Sequence, residues 1–101
     1  MGVNVMFDFE VHGLAGEEEA TSVVRALAGL VREEGFQAHE VGVGWSVQDG
    51  RYWISGETDH PVGVSRFHSW RPRFEAVLHE RVRALAPAAA ASINWRYPDD
   101  D

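Results

Sequence analysis

The sequence contains no cysteine, no lysine and no apolar run long enough to cross a membrane. Without cysteine, the chain forms no disulfide and no thiolate metal site, and it has no cysteine nucleophile. A membrane-spanning helix needs about 18 consecutive apolar residues, so no membrane association is expected. The first residues alternate like a strand and lack the basic and apolar regions of a signal peptide. These absences predict a cytoplasmic protein.

The chain is acidic, and its charged residues are unevenly distributed. The net charge is −7, and all nine basic residues are arginines, which with the many Ala, Gly and Val residues indicates a GC-rich, bacterial source. Residues 1–60 hold eleven acids and three arginines, whereas residues 61–98 hold six arginines and two glutamates. An acidic chain repels phosphate backbones, so a nucleic-acid partner is not expected. A basic protein partner would be steered toward the acidic half.

The first half of the chain predicts a strand, a helix and a hairpin. Residues 3–11 alternate apolar with polar, as in a half-buried strand. Residues 17–34 carry apolar positions at helical spacing, and Gly35 follows as a C-terminal glycine. Residues 36–47 and 51–58 alternate again around Asp49–Gly50, which is the strongest short hairpin signal. Gly42 and Gly44 weaken the second strand and indicate a bulge or a close backbone approach.

The second half predicts a loop, a helix and a strand. Residues 59–65 are expected to be a loop. A helix capped by Ser69, with Pro72 in its first turn, extends to Pro87. Residues 88–97 alternate as a last strand. By length the chain is one domain over residues 1–98, followed by an acidic tail at residues 99–101.

The element order βαββαβ resembles the ferredoxin-like fold. This α+β fold implies a four-stranded antiparallel sheet, with strands in the order 4-1-3-2, and two helices on one face. The other face is then open. Two interpretations of it remain: a solvated polar surface, or a surface for a protein partner or a homodimer. The second interpretation rests on Trp53 with Met6, and on Arg51 and Arg96 beside them.

Histidines and a carboxylate are expected to gather at one edge of the sheet. With the first and third strands taken as parallel, their carboxyl ends bring together His12, Asp59, His60 and His68. This arrangement fits a His–carboxylate acid/base pair or a divalent metal site. It equally fits a polar loop rim that is rich in histidine. No His-x₃-His spacing is present, so no metal site and no cofactor are predicted.

Two arginines occupy an unusual position. Arg71 and Arg73 lie near the predicted start of the second helix, where the helix dipole disfavours cations. Either they pair with Glu17–Glu19 across the rim, or they help the helix N-terminus to bind an anion.

The sequence contains no P-loop, dinucleotide-binding or Gly-x-Ser-x-Gly motif, so an enzyme is disfavoured but not excluded. The favoured hypothesis is a non-enzymatic bacterial interaction or accessory domain, such as a toxin-neutralising protein, that binds a protein partner or itself through its open sheet face. The alternative hypothesis is a small enzyme or ligand-binding domain that acts at the edge of His12, His60 and His68.

Overall fold

Five strands and two helices alternate along the chain. The computed structural model describes residues 2–97. The elements are β1 (Gly2–Leu14), α1 (Glu17–Glu33), β2 (Val41–Gln48), β3 (Arg51–Thr58), β4 (Val62–Ser65), α2 (Phe67–Leu85) and β5 (Ala90–Arg96). The acidic tail predicted at residues 99–101 lies outside the described residues.

The long strand β1 is the centre of the sheet. Strands β3 and β5 pair with it on its two sides, and β2 pairs with the outer side of β3. The predicted neighbours of all four expected strands are therefore present. The sheet differs from the prediction by one extra strand, β4, which pairs with the first residues of β1.

Strand β4 occupies the segment that was predicted to be a loop. Val62 and Val64 are buried and lie opposite Val5 and Val3 of β1, whereas Gly63 between them is exposed. The strand continues along β1 where β3 ends. Its alternation spans only four residues and includes a glycine, which is too short a signal to separate a strand from a loop.

The relative direction of β1 and β3 was predicted wrongly. The two strands are antiparallel, not parallel. The crossover through α1 makes β1 and β2 parallel, and the Asp49–Gly50 hairpin then reverses the chain into β3. The carboxyl ends of β1 and β3 consequently lie at opposite ends of the sheet.

Two element boundaries also differ from the prediction. Strand β2 begins at Val41 and not at Phe36, because residues 37–40 form a turn in which Glu40 Oε1 accepts the amide of Gln37 at 2.7 Å. Helix α2 begins at Phe67, directly after Arg66 in the left-handed conformation, and it has no side-chain cap. Ser69 and Pro72 are therefore helix residues, and Ser69 is not the cap.

The core lies between one face of the sheet and the two helices. The inward side chains of β1 are fully buried, and the predicted apolar stripes of both helices pack against them. The buried helix residues are Ala20, Val23, Leu27, Leu30, Val31, Phe67, Trp70, Phe74, Leu78 and Val82. Leu85 is 43 % exposed because the helix ends there.

An aromatic cluster forms around Phe7 on β1. Its ring centroid lies 5.2 Å from that of Trp95 on β5 and 5.5 Å from that of Phe74 on α2. Phe36, which follows α1, lies 5.8 Å away. Tilted and edge-on pairs of this kind stabilise by more than their buried area alone. One side chain of the central strand thus joins both helical segments and the last strand.

The register of β1 on β3 depends on a glycine. Phe9 lies directly opposite Gly56, and its ring covers the glycine backbone. A Cβ added at residue 56 would lie 2.2 Å from Phe9 Cζ. Phe9 is 1 % exposed, so its ring has no free space into which to move. Residue 56 therefore tolerates no side chain while Phe9 keeps this position.

We expect Gly56→Ala to lower the free energy of unfolding by about 1–3 kcal/mol, the usual cost of overpacking a core. Chemical denaturation measures the change. Gly44→Ala on β2 is the matched control, because a Cβ there meets nothing within 4 Å. Phe9→Leu should recover part of the loss in the double variant. Equal effects of the two glycine substitutions would contradict this account of the register.

Candidate functional site

The face of the sheet that carries no helix, here called the open face, has an aromatic pair on its central strands. Trp53 of β3 lies opposite His12 of β1. Their rings are stacked, with centroids 5.9 Å apart and planes 4° from parallel. His12 Nε2 also lies 2.8 Å from Glu10 Oε1 on the same strand face. This contact fixes the imidazole over the indole at the surface.

Three carboxylates lie beside this aromatic pair. Asp8 is directly opposite Glu57, and Glu10 is opposite Ser55. Asp8 accepts a hydrogen bond of 3.1 Å from Asn94, and the nearest guanidinium nitrogen of Arg96 is 3.7 Å from it. The carboxylate of Glu57 makes no hydrogen bond or ion pair with any residue from 2 to 97. Like charges opposite each other destabilise a sheet, so this arrangement leaves unbalanced negative charge.

The carboxylates line a shallow depression of about 260 Å³ together with Trp53 and Ser55. Gly42 and Gly44 of β2 border it, opposite Glu57 and Ser55. A Cβ at either glycine would meet nothing within 4 Å among residues 2–97, so packing in this part of the chain does not require glycine there. The expectation that they mark a bulge is wrong, because β2 pairs regularly with β3 from Val41 to Gln48.

The remaining residues predicted for the open face lie near its borders. Met6 is half-buried and opposite Arg96 on β5. Arg51 is exposed beside the hairpin, opposite Gln48. These residues therefore lie on the open face away from the depression, whereas Trp53 lines it together with Asp8, Glu10 and Glu57, here called the acidic centre.

His12 was predicted at the loop rim, and the structure places it in the sheet. β1 continues to Leu14, with a shift of register after His12 at Gly13, whose φ is 85°. The sequence alternation does extend through His12 as a polar position. Because the first strand was predicted to end at Val11, before Gly13, the sequence did not place His12 on the open face.

The predicted histidine edge does not exist, because β1 and β3 are antiparallel. His12 lies at one end of the sheet, whereas Asp59, His60 and His68 follow the other end of β3. His60 Nδ1 lies 3.1 Å from the carbonyl oxygen of Pro61, and His68 contacts the ring of Phe67. Within residues 2–97, no group of three His, Asp or Glu side chains could hold a metal ion.

The two arginines of α2 have partners within the chain. Arg71 donates to the hydroxyl of Tyr97, lies 3.5 Å from Glu75, and is centred 5.2 Å from the ring of Trp95. Arg73 lies 3.4 Å from Glu34. The predicted partners, Glu17–Glu19, are at the opposite end of α1. The antiparallel helices bring the end of α1 to the start of α2, so Glu34 takes their place.

Glutamates at the end of α1 join the two helices. Glu34 also accepts a hydrogen bond of 2.6 Å from Trp70 Nε1. Arg81 donates two hydrogen bonds to Glu33, of 2.7 and 3.0 Å, and these lower the pKa of the Glu33 carboxyl below its ordinary value of 4.5. The stabilisation by this pair is present above that value and is lost as the pH falls through the lowered pKa. These contacts have a structural role and lie away from the open face.

Solved structures resemble this chain over most of its length. A de novo designed protein, Foldit4, has a TM-score of 0.71 at 12 % identity, with 92 % of this chain and 96 % of that one covered. A dimeric ferredoxin-like protein from an uncultured marine organism has a TM-score of 0.52 at 10 % identity, with 93 % and 94 % covered. The fold is ferredoxin-like. No protein-family model and no curated protein matches the chain, so the similarity establishes the fold and no more.

Neither helix within residues 2–97 is long and apolar enough to cross a bilayer.

We expect Arg71→Gln to lower the free energy of unfolding by about 0.5–1 kcal/mol, since it removes a cation–π contact and its hydrogen bond to Tyr97. Arg73→Gln is the control with the same change of charge. Its side chain is 61 % exposed, and its ion pair is long, so it should have little effect. Urea denaturation of both variants measures the difference. If added phosphate stabilised the wild type but not Arg71→Gln, Arg71 would instead belong to an anion site.

Proposed function

We propose that this chain is a non-enzymatic interaction domain that binds a basic segment of a protein partner across its open face. The observation that carries the proposal is the acidic centre of that face. Three carboxylates lie along the strands beside the stacked pair of Trp53 and His12, and the side chain of Glu57 has no ion-pair partner among residues 2–97.

The charges favour an arginine or lysine as the contact residue of the partner. Asp8 and Glu57 are cross-strand neighbours, an arrangement that costs about 0.2–1 kcal/mol when nothing separates the charges. A guanidinium between them would neutralise both carboxylates through charge-assisted hydrogen bonds. A second cation of the same segment would lie near Trp53, four residues along β3 from Glu57, and tryptophan has the strongest cation–π attraction of the aromatic rings.

The shape of the surface favours an extended segment. The depression is shallow, and the bare backbone at Gly42 and Gly44 continues it to the border of β2. Glycine disfavours a strand, yet a Cβ at either position would meet no atom of residues 2–97 within 4 Å. Room for the side chains of a partner accounts for both glycines.

Self-association through the same face is the less favoured form of the proposal. The related fold from the marine organism is described as dimeric, which is a property of that protein. Two copies of the present chain stacked face to face would bring Asp8, Glu10 and Glu57 close to their own copies. Like charges placed together disfavour such a pairing by several kcal/mol.

The geometry does not favour the alternative of an enzyme or ligand site shared by His12, His60 and His68, because His12 lies at the opposite end of the sheet from the other two. The small size, the acidity and the arginine-only basic residues are consistent with a bacterial cytoplasmic accessory or toxin-neutralising protein. This assignment of source and location is part of the proposal.

The proposal is tested by titrating the ¹⁵N-labelled protein with an octa-arginine peptide. We expect amide shifts centred on Asp8, Trp53 and Glu57, with quenching of tryptophan fluorescence. Asp8→Asn/Glu57→Gln should weaken binding at least about tenfold, a change of about 1.4 kcal/mol. Trp53→Ala should weaken it as well.

The matched control is Glu18→Gln/Glu80→Gln, which removes the same charge from exposed positions on the helices. It should bind the peptide nearly as well as the wild type at physiological salt. Equal weakening by the two double variants, or shifts centred on α1, would show general attraction to an acidic protein and would contradict the proposed site.

A further inference from the structure

Strand β2 forms an unprotected edge of the sheet. Among residues 2–97 it pairs only with β3, and its eight residues, VGVGWSVQ, include no charge and no proline. Native edge strands are normally short, charged, bulged or covered, since a free edge can pair with another strand. None of these protections is present in β2, and its pairing with β3 is regular throughout.

The hairpin determines which backbone groups face outward. Asp49 and Gly50 both have positive φ, 53° and 75°, which is the type I′ turn that makes Gln48 and Arg51 a hydrogen-bonded pair. Alternation along the ladder then directs the N–H and C=O groups of Val43, Trp45 and Val47 away from β3. Within residues 2–97, these groups have no hydrogen-bond partner.

The side chains of the same residues form an incompletely covered apolar strip on the helix side of the sheet. Val43 and Trp45 are only half-buried, and Val47 is 51 % exposed. Trp45 contacts Tyr52 of β3 on one side. On its other side, no strand within residues 2–97 lies beside β2. A further strand beside β2 would cover this strip and pair its backbone in one step.

We propose that β2 pairs antiparallel with β2 of a second copy of this chain, around a two-fold axis perpendicular to the sheet. A two-fold interface must be complementary to itself, because the same patch lies on both sides. In a chain of net charge −7, β2 meets this condition, since uncharged residues then face uncharged residues. A basic partner would find no charge complement on this strand, which distinguishes it from the open face.

The first experiment measures the mass in solution by sedimentation equilibrium, from about 10 µM to about 1 mM, a range that detects dissociation constants typical of weak pairing. We expect a reversible dimer. Val47→Lys should raise the dissociation constant at least about tenfold, because it places a charge on the paired edge. Leu85→Lys is the matched control, since Leu85 is the other large apolar residue exposed within residues 2–97 and it lies on α2. It should leave the dimer unchanged.

A second variant separates pairing from folding. Val47→Pro removes an amide that points away from β3, so it leaves the internal ladder intact and blocks the external one. Hydrogen exchange should show that the amides of Val43 and Trp45 become protected as protein concentration rises in the wild type, but not in this variant.

Three results would overturn the proposal. The first is a strict monomer at about 1 mM. The second is a dimer that tolerates both Val47 substitutions and also Trp53→Ala. The third is a dimer that tolerates both Val47 substitutions but is lost on Trp53→Ala. The last result would place self-association on the open face. Peptide binding by the open face is measured separately, so failure of one proposal leaves the other intact.

Discussion

The contact between Phe9 and Gly56 fixes the register on which the rest of the sheet depends. A slip of one residue would turn every side chain of a strand to the opposite face. With the ring held over the glycine, Asp8 lies opposite Glu57 and His12 lies opposite Trp53 on the open face. Phe9 points into the core and its neighbour Asp8 points to the open face, so one register determines both the core and the candidate site.

The carboxylates on the helical side of the sheet and those on its open face differ in their hydrogen-bond partners. On the helical side, each glutamate near the interface has a donor: Arg81 for Glu33, Trp70 for Glu34 and Trp95 for Glu75. On the open face, Asp8 accepts a hydrogen bond from Asn94 and Glu10 contacts His12, whereas the side chain of Glu57 has no partner among residues 2–97. A partner for each carboxylate near a packed surface is thus the rule, and Glu57 departs from it. Such local departures are typical of functional surfaces.

Alternation and hairpin chemistry were sufficient to predict four strands, both helices and the open-face position of Trp53, but not that of His12. The direction of β3 also follows from the sequence, because a crossover followed by a hairpin reverses the chain, and the expected histidine edge neglected this step. Other features depend on tertiary contacts that periodicity does not contain. Arg71 is positioned by Tyr97 and Trp95, and strand β4 by the amino end of β1.

The two proposed surfaces are connected by geometry. A two-fold axis perpendicular to the sheet leaves the open faces of both copies on the same side, whereas stacking of the faces would bury them. Edge pairing through β2 would therefore present two acidic centres in one continuous sheet. A partner with two basic segments could engage both centres, and its affinity would then rise through effective concentration without any new contact. The lack of charge on β2 and the excess of charge beside Trp53 would in this way serve one assembly.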